Sequence, residues 1–184
     1  MTAEAMRGLV ADFRRTTLRS ATASGLVSEE ALDEARRILA STRFERFDLA
    51  HRGGYSVSDQ AVPERLASEL AAIASEAAAR PVSLLAHRWM RLIAGDYSLL
   101  ADDEAWEART SEEGVLDVTV DLSDVATGEA EVVFTHDGVA YFTVPQRPGQ
   151  VGIAERSPTV GRYDRYLTHR VGAATVMRLR ALFL

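Results

Sequence analysis

Residues 133–144 read VFTHDGVAYFTV. Asp137–Gly138 stands between two runs of aromatic and β-branched residues, which is the signal of a tight hairpin whose two central residues take positive φ. Upstream, residues 115–122 (VLDVTVDL) alternate strictly, with Val115, Asp117, Thr119 and Asp121 on one side and Leu116, Val118, Val120 and Leu122 on the other. A two-residue period belongs to a strand. Similar runs recur from Pro81 onward, over 82–93, 97–100, 115–122, 130–135, 139–145, 150–155, 162–171 and 174–183, separated by Gly, Asp and Pro. Such a series predicts an antiparallel sandwich or barrel.

The first eighty residues follow a helical period instead. Residues 2–23 are rich in Ala and Arg, with apolar positions at Met6, Leu9, Val10, Phe13 and Leu18. A second helix is expected after Ser28, where Glu29 and Glu30 favour the positive end of the helix dipole. Residues 44–57, with aromatics and Gly53–Gly54, read as strand and turn. Pro63 opens a third helix whose stripe of Leu66, Leu70, Ile73 and Ala77 runs to Arg80. The expectation is one α+β domain over 1–184, with residues 1–80 as mainly helical support for a β core over 81–184.

Composition narrows the chemistry. The 184 residues are enough to bury a sizeable core, and 47% of them are hydrophobic. A net charge of -6 argues against a nucleic-acid surface. The basic cluster Arg162, Arg165, Arg170, Arg178 and Arg180 reads as ion pairs on strand faces. The chain has no cysteine, which removes disulfides, thiolate metal sites and cysteine nucleophiles. It also has no lysine, since all 21 basic residues are arginine, and this removes Schiff-base chemistry and the P-loop lysine. The N-terminal MTAEAMRGLVADFRRTT lacks an apolar signal core and no run is long enough to cross a bilayer. These features predict a cytoplasmic protein with no membrane partner, and an apolar edge strand at 174–184 would offer a homodimer contact.

The candidate chemistry lies in GDYSLLADDE (95–104), where an apolar run ends in the adjacent carboxylates Asp102 and Asp103. Of four histidines, His169 is followed nine residues later by Arg178 in an apolar run. A buried arginine needs an anion, either a protein carboxylate or a bound oxoacid. Arg156 could pair with Glu155 or with a substrate anion, and the sequence favours neither.

GDYSLL, VDLSD (120–124), VPQRPGQVGIAER (144–156), THRV (168–171) and VMRLR (176–180), in that order, resemble the successive strands of an iron(II)/2-oxoglutarate-dependent oxygenase of the prolyl-hydroxylase-like branch. The resemblance implies a double-stranded β-helix, or jelly roll, supported by N-terminal helices. In that family a His-x-Asp pair and a distal histidine hold iron, leaving positions open for 2-oxoglutarate and oxygen. A basic residue grips the far carboxylate of 2-oxoglutarate. Carried over, Asp103 is the metal carboxylate, His169 the distal histidine and Arg178 the 2-oxoglutarate arginine, with Arg180 as the fallback. The first histidine falls at Ala101, so the implied triad is incomplete, with Asp102 and His87 as its substitutes. The resemblance therefore implies Fe(II) and 2-oxoglutarate as cofactors of an enzyme that hydroxylates or otherwise oxidises a small molecule or amino-acid-like group. The alternative is a catalytically inactive module that binds a small molecule or protein on the same scaffold.

Overall fold

The computed structural model describes residues 3–48, 54–98 and 114–184. Three helices come first: α1 (Ala3–Arg15), α2 (Glu29–Ser41) and α3 (Glu64–Ala78). Ser28 caps α2, accepting from the Ala31 N–H while donating to Glu69 of α3, so one side chain both starts a helix and joins two. Pro63 precedes α3, and Ala79 ends it in the left-handed conformation. No helix among the described residues is long and apolar enough to cross a membrane.

Ten strands are described: β1 (Ser20–Ala23), β2 (Glu45–Asp48), β3 (Gly54–Ser58), β4 (Leu84–Leu92), β5 (Leu116–Asp121), β6 (Val132–His136), β7 (Val139–Val144), β8 (Val151–Glu155), β9 (Val160–Asp164) and β10 (Val176–Phe183). One sheet has the order β1-β8-β5-β10-β4-β3-β2 and the other β7-β6-β9. From β5 onward the chain passes from the first sheet to the second, back at β8, over again at β9 and back at β10. This is a jelly roll supported by helices, in an α+β chain, as expected. The β6–β7 turn carries positive φ at Asp137 and Gly138.

Two expectations change. Residues 20–23 are not the end of the first helix. Arg19 takes φ 28, and the chain then pairs Ser20 with Ala154 on β8. With β2 and β3 at the opposite edge, the first eighty residues therefore extend the sheet as well as supporting it. The C-terminal strand is not an edge. β10 is paired with β4 on one side and β5 on the other, so its backbone groups are committed and it offers no strand to a second copy.

The helices cover one face of the larger sheet. Leu9, Phe13, Leu32, Leu66, Leu70 and Ile73 share a core with Trp89, Val118, Val120, Leu179 and Ala181. Burying each such side chain contributes about 1.5–3 kcal/mol. The opposite face of the same strands carries Asp117, Thr119, Asp121, Arg178 and Arg180, and the smaller sheet closes over it. Gly152 makes that closure possible, because a Cβ there would lie 2.2 Å from Val144 Cγ2 on the smaller sheet. Gly152→Val is expected to lower stability by roughly 1–3 kcal/mol through overpacking, read as an earlier urea midpoint at unchanged slope.

Candidate functional site

The space between the sheets is lined by charge. β10 sets Arg178 opposite Asp121 and Arg180 opposite Thr119, while Asp117 lies opposite Leu182. The smaller sheet contributes Arg162 and Asp164 from β9, and Arg156 follows β8. None of these three aspartates and four arginines is more than 6% exposed. Charges so buried are stable only when paired and hydrogen-bonded.

Most are. Arg180 donates from Nε and Nη2 to Asp117 Oδ2 at 3.0 and 2.8 Å. Arg156 Nη1 lies 3.8 Å from the same oxygen. Arg178 donates to Asp164 Oδ1 and to the Ala130 carbonyl, and its Nε lies 3.8 Å from Asp121 Oδ2. The Ser98 hydroxyl donates to Asp164 Oδ2 at 2.9 Å, and Arg162 Nη1 stands 3.6 Å from that oxygen. Burial alone would raise the Asp117 and Asp164 pKa values. The facing guanidinia outweigh it and hold both below the usual carboxylate value, through Arg180, Arg162 and Arg156 at Asp117 and Arg162 and Arg178 at Asp164.

A second group of polar atoms has no hydrogen-bond partner among the described residues although all are buried. They include Arg162 Nε and Nη2, Thr119 Oγ1, the Tyr141 hydroxyl, Asp117 Oδ1 and Asp121 Oδ2. Burial pushes the Tyr141 pKa up to about 12, so its hydroxyl stays protonated near neutrality.

The residues singled out in the sequence are distributed as follows. Arg178 and Arg180 share the interior face, as strand alternation requires, but each is already held by an aspartate. His169 lies outside this interior. It begins an exposed 3-10 turn (His169–Val171), meets Tyr166 edge-on, and packs on Gly95 so closely that a Cβ there would lie 3.1 Å from its Cε1. No hydrogen bond or ion pair joins His169 to Arg178 among the described residues. His87 is opposite Ala181, and so on the helix-covered face of β4, with a ring nitrogen 3.0 Å from the Gln60 carbonyl. The register therefore sets it on the face of the sheet opposite Arg178. Ala101, Asp102 and Asp103 lie outside the described residues. Among those described, no group of three His, Asp or Glu side chains is placed to hold a metal.

The polar residues that open GDYSLLADDE are joints. Asp96 receives Arg46 bidentately at 2.6 and 2.7 Å, tying β2 to the end of β4, and Ser98 fastens the stretch to β9. Arg156 turns inward to Asp117, while Glu155 pairs with Arg19 at 3.4 Å. Sequence reasoning passed over Asp164, Asp117 and Asp121 as partners. The available signal was acidic residues at alternate positions of one strand matching arginines at alternate positions of another.

No family model matches the chain, and no curated protein matches it in sequence. Solved structures match in fold. The non-heme α-ketoglutarate-dependent epimerase SnoN from nogalamycin biosynthesis superimposes with a TM-score of 0.72 at 19% identity, covering 100% of this chain and 83% of that one. An oxidoreductase of the 2OG-Fe(II) oxygenase family from Burkholderia pseudomallei gives 0.68 at 13% identity, over 99% and 92%. A Pseudomonas putida prolyl-4-hydroxylase gives 0.64 at 11%, over 97% and 98%. The chain therefore has the fold of these oxygenases.

Because Asp117 and Asp164 have folded pKa values below the unfolded value of about 3.9, their stabilisation is complete above that value. It is lost as pH falls through the lower folded values. Urea midpoints should hold steady above about pH 5 and fall as pH drops through 4 toward 2. Asp117→Asn, which removes the carboxylate that Arg180 bonds twice, should cost roughly 3–5 kcal/mol at neutral pH and flatten that acid dependence.

Proposed function

We propose that this protein is a small-molecule-binding module on the 2-oxoglutarate-oxygenase scaffold, working without the iron and 2-oxoglutarate of that fold. The observation that carries this reading is the engagement of Arg178 by Asp164 and the Ala130 carbonyl. A 2-oxoglutarate carboxylate at Arg178 would have to displace the buried Asp164, leaving that carboxylate to Arg162 and Ser98, and breaking a buried pair is costly. The metal set fares no better among the described residues, with His169 on an exposed turn against Gly95 and His87 on the opposite face of the sheet. The described residues thus do not fit the cofactor pair.

The fold favours a second reading. SnoN in complex with Fe3+, α-ketoglutarate and nogalamycin RO superimposes over 100% of this chain with a TM-score of 0.68. On that reading the protein is an oxidoreductase acting on a small molecule, with Asp103 and His169 completing a non-standard iron site together with Asp102.

Anaerobic addition of iron(II) and 2-oxoglutarate separates the two. The binding-module reading expects substoichiometric iron in the purified protein and no visible charge-transfer band in the wild type. It expects none in Ala101→His either, because Arg178 is occupied. A strong band in the wild type would overturn it in favour of an oxygenase; a band only in Ala101→His would show that the pocket still accepts the cofactor and would overturn it equally.

A further inference from the structure

We infer that the helix-covered face of the larger sheet carries a binding site for a monocarboxylate with an apolar body, seated on Arg91 beside the last turn of α2. The inference rests on the small-molecule-binding reading above, for which it supplies a site and a ligand class, and it draws on no residue between the sheets.

Strand register puts Arg91 on that face. It stands two residues after Trp89 on β4, whose side chain lies in the core under the helices, and its neighbours across the sheet are Met177 on β10 and Ser56 on β3. A cavity of about 280 Å³ opens beside it. Leu39, Phe44, Leu122 and Met177 form apolar walls, while Arg36, Arg91 and Asp124 bring charge to the same space. The cavity thus lies where the end of α2, the segment leading to β2, and strands β4 and β10 come together.

Arg91 is left without an acceptor there. Its guanidinium lies over the Phe44 ring, 4.7 Å from the centroid, and its Nε is buried with no hydrogen-bond partner among the described residues. The ring face attracts the cation and holds it in place but accepts none of its N–H bonds as a carboxylate would. No ion pair joins Arg91 to an acidic side chain among the described residues. Arg36 differs, since its Nη1 meets Asp33 at 3.0 Å and its Nε donates to the Leu122 carbonyl at 3.3 Å. A fixed guanidinium without an anion, beside apolar walls, is matched by a carboxylate on a hydrocarbon body. Asp124 makes no ion pair with Arg91 although both line the cavity, so a second carboxylate on the ligand would be repelled there. The volume lies at the small end of ligand pockets, which run from about 300 to 1,000 Å³, and suits a short alkyl chain or one phenyl ring.

Thermal melting of the full chain at constant ionic strength tests the site. The probes are sodium hexanoate and sodium phenylacetate, and the controls are hexanamide, sodium acetate, sodium chloride and disodium 2-oxoglutarate. Either probe should raise the melting temperature saturably, by about 3 °C or more at a tenfold excess over its fitted dissociation constant. Hexanamide keeps the body without the charge, acetate the charge without the body, and each should bind roughly tenfold more weakly or worse. 2-Oxoglutarate should add nothing beyond the chloride control. Arg91→Gln should fold, because it removes no ion pair, and should weaken hexanoate binding roughly tenfold or more. Ala40→Phe fills the cavity from the exposed side of α2, should weaken binding likewise, and decides the matter if Arg91→Gln does not fold. No saturable shift with either probe in the wild type would overturn the site and leave the metal-independent reading standing. A hexanoate shift that is unchanged in the variants, or matched by hexanamide, would overturn it as binding elsewhere or by apolar contact alone. A 2-oxoglutarate shift above chloride that persists in Arg91→Gln would overturn the reading on which the site rests, since the dianion would then be held elsewhere in the chain.

Discussion

The Asp164 carboxylate is the interaction on which the interior depends. It is fully buried, receives Arg178 on one oxygen and Ser98 on the other, and lies within 4 Å of Arg162. Arg178 belongs to the larger sheet and Asp164 to the smaller, so this pair also joins the two sheets. Ser98 brings in the stretch after β4, and that stretch is fixed to β2 by the Arg46–Asp96 pair. Four segments, around Arg46, Asp96, Asp164 and Arg178, thus meet through two carboxylates. Apolar packing holds the helices to the outer face, but the inner face is positioned by charge, and buried charge tolerates only a narrow set of arrangements.

The same pair bears on function. An arginine on the last strand of this fold is free to take a ligand only if no protein carboxylate reaches it first. Here one does. The fold is shared with oxygenases whose structures superimpose over nearly the whole chain, yet the identities of 11–19% carry the architecture and not the activity. The local feature that bears on function is two sheets closing over arginines that are paired with aspartates of the chain itself.

Much of the architecture was legible in the sequence because it rests on local signals. Asp137–Gly138 predicted the hairpin through the φ its turn requires, Ser28 the start of α2, and the period of Leu66, Leu70 and Ile73 the face of α3. Alternation in VLDVTVDL correctly set Asp117 and Asp121 on the side opposite Val118 and Val120. Alternation cannot say what covers the polar side, however, and here a second sheet buries it. Arg178 was recognised as a buried cation needing an anion, and the basic cluster around it as ion pairs. Its partner Asp164 escaped notice because the pair spans two sheets and is set by the closure at Gly152. His169 was misjudged as a strand residue because YLTHRV has β-type composition; the Thr168 hydroxyl, accepting from the Arg170 N–H, begins a turn there instead. The interior position of β10 was also beyond reach, since the order of strands is a global property that apolar content does not report.

A double-mutant cycle on Arg178 and Asp164 tests the central claim most directly. Stability would be measured by urea unfolding for Arg178→Met, Asp164→Leu and the two together, with no ligand added. The account predicts that each single change is strongly destabilising and that the double variant is more stable than the sum of the singles implies, by a coupling of roughly 2–3 kcal/mol. Additive effects, with coupling near zero, would contradict it, because Arg178 would then be free of Asp164 and available to a ligand.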